Sequence, residues 1–403
     1  MFLAALLVRG FWIHRTSRGL DEVQGDAVVY YLSADNIARH GAYADALGER
    51  APRMPLYPAF LASLFRWTGP SVPAAQAAQA VLGSLTCVAI YLGGAAFLTA
   101  ETALLAGWVS AVYFGLAYPC GRILSEVLFA FVLAFFFAAA FRWRGRPWMP
   151  ALVAALGAAL YLVRPEGALA PLALAALGPR SLPGWRLRHS AAVLAALLAA
   201  GGAWGLRNRA ALGVFKLGTT GAGFSQWAAL PRTMNEKLGS PLGARPVDFP
   251  TEELAKDAFF RRSALSAVRA APKLLLLKAA AFNLVSEFYP FLPSYEFTYM
   301  LLVPLWLYAL VFVRERRELL PAKVLVCVWP LVFIVWGGAD SRFRQLYAPL
   351  LVWLACAGWD QLRARKGSPW LARVGAAWLT LNAVVFLFWP QLRMLTLNLK
   401  KVL

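Results

Sequence analysis

Apolar runs near the length of a membrane span recur along this whole chain, and no other feature restricts its fold so sharply. In hydrocarbon every backbone N–H and C=O must be satisfied within the protein, so such runs cross as helices or as strands of a closed barrel. Here they are rich in Leu, Ala and Phe and lack the period-2 alternation of a barrel strand, which leaves the helix. Composition points the same way. The 403 residues are 60% hydrophobic and 15% charged, against roughly 45–50% and about 25% for soluble domains. The mean hydropathy is +0.58. The pattern predicts an all-α polytopic membrane protein, a single transmembrane domain over 1–403, with about 11 spans (range roughly 11–13). They fall near 1–16, 72–98, 101–119, 121–141, 148–163, 166–178, 189–205, 297–313, 323–338, 343–359 and 370–389. The first is short, so either the chain starts upstream of residue 1 or this helix crosses a thinned region. It carries no A-x-A cleavage site.

A formal charge of +20 would suggest nucleic acid as partner in a soluble protein. Here the arginines sit in short loops between apolar runs, which is the positive-inside pattern instead, and nucleic acid is excluded. With the N-terminus inside, Arg142, Arg144, Arg146, Arg180, Arg186, Arg188, Arg314, Arg316, Arg317, Lys323, Arg363, Arg365, Lys366 and Arg373 are cytoplasmic. That is fourteen basic residues against three acids, Glu315, Glu318 and Asp360. Two polar segments, 17–71 and 206–296, are then external loops. Within them 27–40, 54–67 and 273–288 are expected to be interfacial helices. The last is interrupted by Lys278, Asn283 and Glu287, which argues against a further span. Cys87, Cys120, Cys327 and Cys356 are far apart, and His14, His40 and His189 are scattered, so neither set reads as a metal spacing or a disulfide framework.

With this topology the ionisable residues near the span ends gather on the external side. They are Asp21, Glu22, Asp26, Arg53, Arg122, Glu126, Arg164, Glu166, Arg207, Arg209, Asp340, Arg342 and Arg344. Charge at membrane depth is costly and commonly marks a cavity or substrate path. Several arginines with carboxylates suit a phosphate-bearing substrate, because a guanidinium binds phosphate through two parallel hydrogen bonds. A carboxylate beside them can act as general base. Each residue has an ordinary reading too. Arg122 and Glu126, spaced i, i+4, would pair on one helix face. Arg342 and Arg344 would border a helix and meet lipid headgroups, Asp21 and Glu22 would be solvated, and Asp26 would cap the helix that follows it.

Several segments, in order, resemble the GT-C glycosyltransferases, nearest to the bacterial branch of protein O-mannosyltransferases and lipid A aminoarabinose transferases. They are Asp26-Ala-Val-Val-Tyr30 with Ala34 and Gly41-Ala-Tyr43; Arg53-Met-Pro-Leu-Tyr57-Pro; Gln79-Ala-Val-Leu-Gly83; Leu124-Ser-Glu126; Leu162-Val-Arg164-Pro; Trp204-Gly-Leu-Arg207-Asn; and Arg342-Phe-Arg344. The set runs from about residue 20 to 359. Asp26 is followed by Ala where the family often has an acid, while Asp21-Glu22 supplies a D-E pair five residues earlier. No large soluble domain follows the last span in this sequence.

The resemblance implies inverting transfer of a sugar from a polyprenyl-phosphate carrier to a glycan, lipid or protein acceptor. The reaction would take place on the periplasmic or other extracytoplasmic face of a bacterial inner membrane, among membrane lipids. It implies Asp26 as catalytic base, with Glu126, Asp21 and Glu22 as the other candidate carboxylates. Arg53, Arg164, Arg207, Arg342 and Arg344 would hold the donor phosphate, and Tyr30 and Tyr57 would line the substrate cavity. No nucleotide cofactor is implied. Some members use a divalent cation, Mg or Mn, for which Asp26 and Glu126 would be oxygen ligands. Two alternatives stand beside this: a polymerase or ligase using a diphosphate-linked glycan, and a transporter or flippase of a lipid-linked anion. Against the last, no internal repeat is visible and the charges lie at one face and not the midplane.

Overall fold

The structure is a computed structural model describing residues 1–17, 23, 25–45, 47–143, 145–289, 295–338, 340–364 and 369–392. Among these every regular element is helical. After α1 (Phe2–Thr16) come two outer helices, α2 (Asp26–His40) and α3 (Leu56–Thr68). An apolar series follows: α4 (Val72–Gly94), α5 (Ala100–Val112), α6 (Phe114–Ala117), α7 (Glu126–Phe141), α8 (Met149–Val163), α9 (Leu169–Ser181) and α10 (Leu187–Leu212). Four outer helices are next, α11 (Ala222–Trp227), α12 (Leu230–Glu236), α13 (Glu253–Ala270) and α14 (Lys273–Glu287). The chain then returns to apolar helices α15 (Phe297–Phe312), α16 (Leu320–Val335), α17 (Ala348–Ala364) and α18 (Pro369–Leu387).

Each apolar segment expected from the sequence is thus helical, and the segments 27–40, 54–67 and 273–288 are helical as α2, α3 and α14. By length and composition, α4, α10 and residues 317–335 reach across a bilayer. So does the pair of α5 with 114–121, bent by 64° at Tyr113. The remaining apolar helices are shorter; α8 ends just before Arg164, a residue of the cavity described below. Ser71 caps α4 by accepting from the Ala74 N–H at 3.3 Å, and Thr99 caps α5. The helix expected over 121–141 starts only at Glu126. A 3-10 turn, Tyr118–Gly121, precedes it and leaves Arg122 extended (φ −108°, ψ 145°). Arg122 and Glu126 therefore do not share a helix face, and the i, i+4 reading of the pair fails.

The bundle is built around α7, almost wholly buried between α4, α8 and α17. Tryptophans wedge its neighbours together and find a carbonyl for the indole N–H. Trp353 donates to the Ile90 carbonyl at 2.8 Å, and Trp329 to that of Glu166 at 3.2 Å. One end of the bundle carries the described basic loops. There Arg316 pairs with Asp360 at 2.5 Å, Arg363 pairs with Glu101 at 2.5 Å, and Thr99 and Thr102 both donate to Asp360 at 2.9 Å. At the opposite end the two long polar segments fold onto each other. The Glu253 carboxylate accepts from the N–H groups of Arg50 (2.7 Å) and Ala51 (2.8 Å) and from the Thr220 hydroxyl (2.6 Å). Lys256 pairs with Glu49 at 2.6 Å. This clasp fixes the stretch that leads to Arg53.

Candidate functional site

Three breaks in helical structure deliver charged side chains to one cavity of about 520 Å³ at that end. Gly25, at φ 56°, turns the chain into α2 and puts Asp26 at its first position. Pro165 disfavours helical backbone at the residue before it. Arg164 is accordingly extended (φ −153°, ψ 140°) and its guanidinium leaves the bundle between α8 and α9. Gly338, at φ 85°, makes the turn into 341–347; a Cβ there would lie 2.4 Å from the Ala228 carbonyl oxygen, so only glycine fits. Asp340 caps the 3-10 helix Ser341–Tyr347 by accepting from the Arg342 N–H at 3.0 Å.

The result is a chain of alternating charge. Asp26 Oδ1 accepts from Arg53 Nη2 at 2.6 Å and Oδ2 from Arg342 Nη2 at 2.8 Å. Arg342 Nε lies 3.8 Å from Glu126 Oε1 and 3.3 Å from Asp340. Arg164 is 3.7 Å from Glu126, bonds Glu166 at 2.5 Å and reaches the Ser125 hydroxyl at 3.2 Å. Glu126 is nearly inaccessible, and neither of its oxygens has a hydrogen-bond donor at bonding distance. Tyr30 lines the cavity and shares a hydrogen bond with Ser125 (3.2 Å). Burial by itself raises the Asp26 carboxyl, but Arg53 and Arg342 outweigh it and hold the pKa well below the usual carboxylate range.

The structure therefore brings together Asp26, Glu126, Arg53, Arg164, Arg342 and Tyr30, and separates the other expected residues from them. Asp21 and Glu22 lie outside the described residues. Tyr57 is fully buried behind Tyr30, edge-on to it at 4.9 Å, with its hydroxyl donating to Gln79 at 2.9 Å; it supports the cavity wall without lining it. Arg207 stays on α10, which runs to Leu212. Its guanidinium covers Tyr43 and Trp204 and donates to the carbonyls of Arg50 (2.5 Å) and Tyr43 (3.2 Å), so it staples loops together.

Arg344 points away from Arg342 into a sealed pocket. It pairs with Glu296 at 2.7 Å, donates to the Glu287 and Tyr289 carbonyls at 2.9 and 3.2 Å, and lies 3.7 Å over Tyr299. Beside it, burial pushes the Glu287 carboxyl up to about 8 although Tyr347 and Arg344 act to lower it. Arg344 tethers 341–347 to the end of α14, buried away from the cavity and from the surface where it was expected to meet phosphate or headgroups. Arg344→Met should leave Glu296 as an uncompensated buried charge and cost about 3–5 kcal/mol. A melting temperature in detergent close to that of the unsubstituted protein would remove this assignment.

The sequence reading missed Arg232, Glu236 and Lys237, which line the cavity mouth from α12 and its end. Thr219, Ser225 and Trp336 also line it. The only local signal was Pro231 at the start of a seven-residue helix in a polar stretch.

The donor set suits an anion. Among the described residues no three His, Cys, Asp or Glu side chains come together. The Arg342 guanidinium stands between Asp26 and Glu126, the two carboxylates expected to ligate Mg or Mn. A cation there would face three guanidinium groups, so these residues do not fit one.

No protein-family model matches the chain, and no curated protein matches it. Among solved structures, the Archaeoglobus fulgidus oligosaccharyltransferase in complex with Zn and sulfate is 12% identical and superposes with a TM-score of 0.50, over 96% of this chain and 51% of that one. The AglB oligosaccharyltransferase of the same organism, with an inhibitory peptide and a dolichol-phosphate, is 13% identical, with a TM-score of 0.46 over 96% and 54%. The chain spans about half the length of these structures. At such identity the likeness of the first reports the fold alone, and together with the apolar helices it makes the chain an integral membrane protein of the GT-C fold.

Proposed function

We propose that the chain is a glycosyltransferase of the GT-C type. It transfers a sugar, with inversion, from a polyprenyl-phosphate carrier to an acceptor hydroxyl or similar nucleophile. The observation that carries this reading is the cavity in which Asp26 lies between Arg53 and Arg342, with Arg164 behind. The chemistry follows from those residues. Asp26 takes the proton of the acceptor hydroxyl, and the acceptor oxygen bonds to the anomeric carbon opposite the phosphate. The bond from that carbon to the phosphate oxygen breaks, and the charge left on the lipid phosphate is stabilised by guanidinium groups already in position. Further support comes from a fold shared with an oligosaccharyltransferase and from the ordered motif resemblance, which favours the bacterial O-mannosyltransferase and aminoarabinose transferase branch. The basic loops gather at the end remote from the cavity, and this favours a cavity facing the periplasm or exterior, with the segments 17–71 and 206–296 outside.

A second reading, a diphosphate-linked donor, is favoured by Arg232 and Lys237 at the mouth of the same cavity. Deletion of the gene followed by mass spectrometry of envelope glycans, glycolipids and glycoproteins tests the class. The expected result is loss of one sugar from one acceptor, restored by the wild-type gene and not by Asp26→Asn. An unchanged glycan profile would remove the assignment.

A further inference from the structure

We propose that the donor phosphate enters the cavity by replacing the Asp26 carboxylate on Arg53 and Arg342, so that donor binding is the event that frees the base. This rests on the reading of the cavity as a donor-phosphate site. In the structure described, Asp26 is the anion on that site. Its two oxygens each accept a charge-assisted hydrogen bond, at 2.6 and 2.8 Å, from two arginines belonging to different segments of the chain. A carboxylate held this way is poorly set to take a proton, because both oxygens already face a cation. A phosphate presented to the same guanidinium groups offers more oxygens and more charge, and it fits their planar fork in the same manner.

Two further observations favour exchange over simple addition. Arg342 Nε is buried and has no hydrogen-bond partner; its nearest acids, Asp340 and Glu126, stand at 3.3 and 3.8 Å. Two acids thus already face the Nε edge of the fork that holds Asp26; a phosphate adding there would meet them, whereas one that takes the place of Asp26 would not. Asp26 is also the first residue of α2, directly after Gly25 at φ 56°, so its carboxylate can swing aside without moving the helix. Glu126 lies behind the arginines and is nearly inaccessible. Once Asp26 is released, burial is no longer opposed by two adjacent cations, and the carboxylate becomes the stronger base that the acceptor requires. A donorless enzyme therefore keeps its base inactive.

The exchange predicts an effect opposite in sign to that expected for an ordinary binding residue. Undecaprenyl phosphate is titrated into the detergent-solubilised full chain and followed by tryptophan fluorescence, which Trp336 in the cavity wall reports. Asp26→Asn should bind the probe about tenfold more tightly than wild type, because the phosphate no longer displaces an ion-paired carboxylate. Arg53→Gln should bind it about tenfold or more weakly. Asp26→Ser, expected to shift in the same direction, serves if the Asn variant has a lowered melting temperature. Equal or weaker binding by folded Asp26 variants would overturn the exchange while leaving the cavity a donor site. Binding absent from wild type and from the Asp26 variants alike, or unaffected by Arg53→Gln, would instead overturn the reading of the cavity itself.

Discussion

Asp26→Asn should lower turnover by about 10²–10⁴-fold, the usual contribution of a positioned general base, with little change in expression or melting temperature. The substitution keeps the size of the side chain and one oxygen that can still accept from Arg53 or Arg342. It removes the ability to take a proton. Burial raises the Asp26 carboxyl, but the two arginines prevail and keep it ionised in the free enzyme across the neutral range. The acidic limb of kcat/KM contributed by Asp26 should therefore lie below about pH 3.9, the ordinary carboxylate value, and be absent near neutrality. The parallel variants Asp21→Asn and Glu22→Gln should be mild. Near wild-type turnover in Asp26→Asn with a dead D-E pair variant would move the base five residues upstream.

Arg342→Gln should be as damaging, for a different reason. Among the described residues, Arg342 is the one cation that reaches Asp26, Asp340 and Glu126 at once. Its loss removes a donor aimed at the charge that develops on the departing phosphate, an effect worth about 10²–10³-fold in kcat when one such donor is deleted. It also leaves buried Glu126 with Arg164 alone, at 3.7 Å. The defect should fall on kcat/KM for the donor and should not be rescued by raising acceptor concentration. If Arg342→Gln transfers sugar with unchanged kinetics, the phosphate is held elsewhere.

The contrast between Arg342 and Arg344 also shows where the sequence stops being readable. Two residues apart, both lie at the start of an apolar run, and both were expected at the phosphate. They sit in a 3-10 helix, which repeats every three residues, so side chains at i and i+2 leave the axis in different directions. Nothing in the local sequence announces that geometry. Arg164 was readable as a charge at a span end within Leu162-Val-Arg164-Pro, and Pro165 is what turns its backbone out of the helix. Asp26 was readable as the polar residue heading an amphipathic stretch. The helices themselves were legible because hydrocarbon permits so few alternatives to an apolar run. Arg207 lies away from the cavity because α10 runs on to Leu212 and aromatic neighbours cover its guanidinium, a tertiary arrangement without a local signature. The α12 wall escaped for a related reason: seven polar-flanked residues have too little periodicity to stand out, and tertiary packing brings them to the cavity, the stretch just before them lying against the Gly337–Gly338 turn.

The most direct measurement is of the lipid that leaves the reaction. Purified protein is incubated with a sugar-labelled lipid extract and a membrane acceptor fraction from its own source, and the lipid products are resolved by thin-layer chromatography. Label is expected to move to the acceptor in step with release of polyprenyl monophosphate, and Asp26→Asn to slow both by the same factor of about 10²–10⁴. Label that stays on its lipid, or a released lipid that carries two phosphates, would contradict this expectation.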